Sequence, residues 1–130
     1  HTITDNETQN GKSLKQVFDA FLMKIAGKVL LVHFNQIERE FIKQACIELY
    51  GVAPVIPMID TLCLAKKEFA RQDFPFDPQD LTLENLRKRA QLPFYQQHHA
   101  LSDAIATAEL YLTMIKPKCA ANMQLKDVLI

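Results

Sequence analysis

Two short stretches bring together residue types that can do chemistry. In Gln97-His98-His99-Ala100-Leu101-Ser102-Asp103-Ala104, a loop histidine is followed five positions later by an aspartate in the first turn of a predicted helix, a spacing that can place both at one site. The ionised oxygens of Asp103 can bind a divalent metal, while an aspartate there also sits favourably at the positive end of a helix macrodipole, which is a sufficient structural role. The second stretch is Leu31-Val32-His33-Phe34-Asn35-Gln36-Ile37-Glu38-Arg39-Glu40-Phe41-Ile42, where Glu38 follows shortly after an apolar run. Strand ends of this kind hold ligands in open α/β sheets. Asn35 followed three residues later by Glu38 is also the spacing of a capping box, in which the glutamate reaches back to the cap residue's N–H.

The elements that must position these residues follow from periodicity. Leu14, Val17, Phe18, Phe21, Leu22 and Ile25 fall on one helical face, with Ser13 placed to cap it and Gly27 to end it. Lys28 to Phe34 is β-branched and Leu-rich without alternation, the pattern of a parallel strand covered on both faces. A second helix is predicted from Asn35 to about Tyr50, with Ile37, Phe41, Ile42, Ala45 and Leu49 inward and Gly51 as its stop. Pro54 to Asp60 offers a short strand, kept to an edge or end position by its prolines. Thr61 to Arg71 reads as a helix, Gln72 to Asp80 as a proline-punctuated loop, and Leu81 or Thr82 to Ala90 as a further helix whose Glu84, Arg87, Lys88 and Arg89 form a solvated face. The last long helix is predicted from about Ala100 to Ile115, with Leu101, Ala104, Ile105, Ala108, Leu112 and Ile115 inward and Pro117 closing it. The tail from Ala120 to Ile130 is read as a short amphipathic helix or a frayed end. The order helix, strand, helix, strand, helices makes the class α/β with a small parallel sheet, and two strands are too few to cover so many helices.

Composition narrows the function classes. The chain of 130 residues carries 15 basic and 15 acidic residues, so the long-range basic field of a sequence-independent DNA coat is absent. No apolar run approaches the ~20 residues that span a bilayer. Cys46, Cys63 and Cys119 are odd in number and lack CxxC spacing, which argues against a disulfide framework or zinc knuckle and for a reducing, cytoplasmic setting. The chain opens on His1 rather than Met, as a fragment would.

Taken together, Leu30-Leu-Val-His-Phe-Asn-Gln-Ile-Glu38-Arg-Glu-Phe-Ile, Ile59-Asp60-Thr61-Leu62, Leu83-Glu84-Asn85-Leu86 and His98-x-Ala-x-x-Asp103-Ala resemble the later part of a DnaQ-like 3′-to-5′ exonuclease of the DEDDh type, the family of the epsilon proofreading subunit of DNA polymerase III. The resemblance covers residues 1 to 116, taken as the C-terminal portion of an exonuclease domain, with 117 to 130 as a tail. It implies an RNase H-like α/β fold lacking its first three strands. It also implies phosphodiester hydrolysis with two divalent ions, Mg²⁺ or Mn²⁺, in which Asp103 and Glu38 are metal ligands and His98 is the general base on the attacking water. The substrates implied are single-stranded or frayed 3′ ends of DNA, with RNA as an alternative, and a polymerase subunit is an implied partner. Exposed sheet surface would permit a homodimer.

Two departures from the family pattern bear on that transfer. The second motif normally reads His-Asn followed by an aspartate, whereas Phe34 stands in place of the asparagine and Glu38 in place of the aspartate. The extra methylene displaces the carboxylate by about 1.5 Å. The first motif, an Asp-x-Glu pair on a buried strand, is not matched: Asp5-Asn6-Glu7 has the spacing but lies in a polar segment unsuited to a buried strand. A catalytically degenerate member of the fold that binds nucleic acid or protein is therefore the alternative. Phe34, Phe94 and Tyr95 are candidates to stack on bases, each also readable as a core or rim residue.

Overall fold

The structure is a computed structural model that describes residues 11–95, 99–119 and 123–130. Helix α1 (Leu14–Ile25) opens on the cap anticipated at Ser13, and the structure extends it to a capping box: the Ser13 hydroxyl accepts from Gln16 N, and the Gln16 side chain accepts from Ser13 N. Gly27 takes φ +71° and turns the chain into strand β1 (Leu30–Val32). Helix α2 (Asn35–Tyr50) ends on Gly51 at φ +72°, whose N–H bonds to Ile47 O. Strand β2 (Met58–Asp60) lies parallel to β1 in the register Leu30 to Met58, Leu31 to Ile59 and Val32 to Asp60. Helix α3 (Thr61–Arg71) follows directly, then a 3₁₀ turn (Pro78–Leu81), helix α4 (Leu83–Arg89) and helix α5 (Ala100–Cys119).

The core is divided by the sheet. Successive side chains of a strand point to opposite faces, and β2 follows the rule. Met58 joins Phe18, Val32, Ile42, Ala45 and Cys46 beneath α1 and α2, while Ile59 joins Leu64 and Val128 on the other side. A further cluster of Ala65, Phe69, Leu81, Leu86 and Leu110 binds α3, α4 and α5 together. The C-terminal residues return to the sheet instead of forming a helix. After a 3₁₀ turn (Leu125–Asp127), Leu129 bridges Ile59 in antiparallel fashion and Ile130 N donates to Met58 O at 3.0 Å. The tail thus occupies the edge of β2 opposite β1. Among the described residues nothing pairs with the outer edge of β1.

Several expectations are corrected. The first strand is three residues long, not seven, and although both its faces are covered, by the cluster around Val32 on one side and by that around Leu64 and Val128 on the other, only Val32 is fully buried. Ile37 and Phe41, expected inward, are 65% and 62% exposed. In α5 the buried positions are Ala106, Thr107 and Leu110, whereas Leu101, Ala104, Ile105 and Leu112 face outward. That helix is apolar around most of its circumference, so periodicity alone did not select the side that would find a partner. Pro117 lies inside α5, not beyond it. In the last turn its missing N–H costs one ladder bond, which the end of a helix tolerates better than its middle. Among the described residues no helix is long and apolar enough to cross a membrane.

Candidate functional site

The C-terminal ends of both strands converge on one carboxylate. Asp60 is fully buried, and its side chain accepts from Phe34 N at 3.0 Å, Asn35 N at 2.9 Å, the Asn35 amide at 2.7 Å and Leu62 N at 2.8 Å. One side chain therefore caps the N-termini of both α2 and α3. Burial alone would push its carboxyl up, but the hydrogen bonds from Asn35, Phe34 and Leu62 together outweigh that and hold it below its ordinary value. The expected capping box between Asn35 and Glu38 does not form. The cap position is Phe34, in the left-handed region at φ 71°, with no side-chain cap of its own. Asn35 instead gives its amide to Asp60, a partner 25 residues away that no local spacing reveals.

Release from capping leaves Glu38 to face a groove of about 1500 Å³. Asp103, in the first turn of α5, lines the same groove, as does His33 at the end of β1. Burial raises the Glu38 carboxyl above its usual range; its own backbone N–H partly offsets this, and the nearby Asp60 charge adds to the rise. Its Oε2 is shut off from water and has no hydrogen-bond partner among the described residues. A buried carboxylate oxygen without a donor is costly unless a cation reaches it, so the donor set fits a divalent ion in part. Among the described residues no three His, Cys, Asp or Glu side chains come together as a ligand cluster. The structure thus brings Glu38 and Asp103 to one groove. His98, expected beside them, lies outside the described residues, as do Asp5 and Glu7.

His33 is held from behind. Its Nδ1 lies 2.8 Å from Thr61 Oγ1, a hydroxyl that also lies 3.3 Å from Val32 O and so ties the ring to the end of β1. Burial lowers its pKa from the ordinary histidine value, with Asp60 and the Leu81 backbone partly opposing the shift.

Arg87, read from sequence as part of a solvated face, is only 5% exposed. Its guanidinium donates to Ala106 O at 2.7 Å, Pro93 O at 2.8 Å and Glu109 Oε2 at 2.9 Å, and it lies over the Tyr95 ring. Tyr95 in turn donates to Glu109 Oε1 at 2.9 Å. The Arg87 and Tyr95 bonds hold the Glu109 carboxyl below its usual range. This network ties the segment after α4 to α5 one turn beyond Asp103. A signal was present: Leu83, Leu86 and Ala90 mark the apolar face of α4, and Arg87 lies on it.

The RNase_T exonuclease family model matches residues 1–111. Among curated proteins the chain is similar to the PolC-type DNA polymerase III of Streptococcus sanguinis, 35% identical over 115 residues that make up 88% of this chain and 7% of that protein. The Bacillus subtilis PolC-type enzyme is 30% identical over 128 residues, or 98% of this chain and 8% of its own. The Thermotoga maritima enzyme is 25% identical over 114 residues, again 88% of this chain and 8% of its own. The chain therefore spans less than a tenth of the length of these relatives. No solved structure gives a significant match.

Proposed function

The chain belongs to the RNase_T exonuclease family, and from that premise we propose that it carries part of a site removing nucleotides from the 3′ ends of single-stranded or frayed DNA, or of RNA, by metal-dependent phosphodiester hydrolysis. The observation that carries this reading is the unpartnered, buried Oε2 of Glu38 on the groove that Asp103 also lines. Glu38 and Asp103 are the residues that would hold Mg²⁺ or Mn²⁺, hard cations suited to oxygen ligands. Bound there, such ions supply a nucleophilic hydroxide and stabilise the charged phosphorus centre. His98, five residues before Asp103, takes the proton from the attacking water. Asp60 has all its acceptor sites used by the helix caps, so its part is to hold α2, and with it Glu38, in place.

Two carboxylates are half of a four-carboxylate set, and the open outer edge of β1 faces the same groove. The reading therefore asks for a further strand carrying an Asp-x-Glu pair beside β1, and without that pair hydrolysis is weak or absent. A second copy of the chain against that edge is the other occupant it allows. The relatives named above are DNA polymerases, which supports association with a polymerase in the cytoplasm. Glu38 standing where the family has an aspartate supports, as the second reading, a degenerate module that binds without cleaving.

The test is nucleotide release from a 3′-labelled single-stranded oligonucleotide with Mn²⁺, by this chain and, where its reading frame continues upstream, by the longer product, each with and without His98→Ala. Release abolished by His98→Ala is expected. Binding without release in every form would instead establish the degenerate module.

A further inference from the structure

One exposed aromatic ring in the groove stands between two neighbours that are each held by hydrogen bonds. Phe94 is 76% exposed and lines the groove shared by Glu38 and Asp103. The carbonyl of Pro93, just before it, accepts from Arg87 at 2.8 Å. Tyr95, just after it, is fixed twice: its hydroxyl donates to Glu109, and its ring lies 4.8 Å from the Arg87 guanidinium. Leu92 N adds a bond to Arg87 O at 3.0 Å. These bonds fix the backbone from which the ring projects, so Phe94 stays at the groove.

The same bonds separate the three aromatic candidates. Tyr95 has its hydroxyl and one face already engaged, and Phe34 does not line the groove. Arg87 is buried and bonded to Ala106, Pro93 and Glu109, but its neighbour Lys88 is exposed on the groove wall, where an ammonium can meet a phosphate. A flat apolar face, a cation and two carboxylates able to hold a metal thus border one cleft. Every base offers a π-face, so such a ring grips single strands without regard to sequence.

We propose that Phe94 is a stacking platform for a base of single-stranded nucleic acid, held at the ready by the Arg87, Glu109 and Tyr95 network. This deepens the nuclease reading and rests on it. The chain contains no tryptophan, so Phe94→Trp introduces a single indole at the proposed contact. Titrating that variant, metal-free, with a short single-stranded oligothymidylate should quench its emission saturably, while a blunt duplex of equal length should not. By anisotropy of a labelled strand, Phe94→Ala should bind about tenfold more weakly than the parent and Phe94→Tyr about as well. Circular dichroism of each variant checks the fold. Strand binding with unchanged indole emission and undiminished affinity of Phe94→Ala would overturn the platform and leave the nuclease reading intact. Quenching without nucleotide release in any form of the chain would keep the platform and remove the hydrolytic reading. Absence of strand binding would overturn both.

Discussion

Replacing Asp60 by alanine tests whether one carboxylate holds up two helices. An N-cap contributes about 1 kcal/mol to its helix, and a hydrogen bond to a charged acceptor about 1.5–3 kcal/mol. Asp60 caps α2 and α3 together and is shut off from solvent, with four N–H donors and the Cys63 thiol on its two oxygens. Water can reach some of the donors left behind, so the bonds do not sum fully, and the loss is set at about 3–5 kcal/mol. For a chain of this size that lowers the melting temperature by about 10–20 °C. Asp60→Asn keeps one oxygen but turns an amide toward donors at the other position, and should lose about half as much. The sign with pH follows from the depressed carboxyl. Its contribution is complete above the unfolded value of about 3.9 and is lost as pH falls through the lower folded value. Urea unfolding of the three proteins at neutral pH and in acid reads all of this. An Asp60→Ala variant within about 1 kcal/mol of the parent at neutral pH would refute the shared-cap argument.

Other outcomes follow from single side chains. At Phe34, held at φ 71°, Phe34→Asn should be more stable than Phe34→Val by about 1 kcal/mol, against the order of hydrophobicity, because asparagine tolerates the left-handed region and a β-branched residue does not; thermal melts that rank valine higher would contradict it. Arg87→Lys should lose about 2–3 kcal/mol in denaturant unfolding, since an ammonium cannot reach Ala106 O, Pro93 O and Glu109 as the planar fork does; full retention of stability would count against the clamp. His33, whose folded pKa is lowered by burial, gives stability that is complete above about pH 6.5 and declines as pH falls from there toward the folded value. His33→Gln should flatten that slope, and an unchanged slope would assign it to another group.

What the sequence made legible was local. Ser13 caps the first helix as read, and the helix Thr61–Arg71 forms over the span expected of it. The cap of α2 was not legible, because the donor segment and Asp60 are 25 residues apart and only the pairing of β1 with β2 brings them together. Asn35 therefore looked self-sufficient. The inward face of α5 was misread for the opposite reason, an excess of signal, since Leu101, Ile105 and Leu112 are as periodic as the residues actually buried. At the site, Glu38 and Asp103 were picked out by spacing and resemblance, and both line the groove. Arg87 was hidden among like charges. Charge patterns imply solvent, and only the count of acceptors around its guanidinium explains why it is buried.

The return of the tail to β2 decides how this sheet can grow. A sheet with two free edges is a template that propagates, each added strand offering a fresh edge to the next, and its natural end point is a filament. Here Leu129 and Ile130 cover one side with a single bridge too short to template a further strand, so among the described residues the edge open to a full strand is that of β1. Whatever joins there, a strand of a longer chain or the matching edge of a second copy, leaves no vacant edge of β2 for another round. Self-association through the sheet would then halt at a closed pair instead of running on into a fibre.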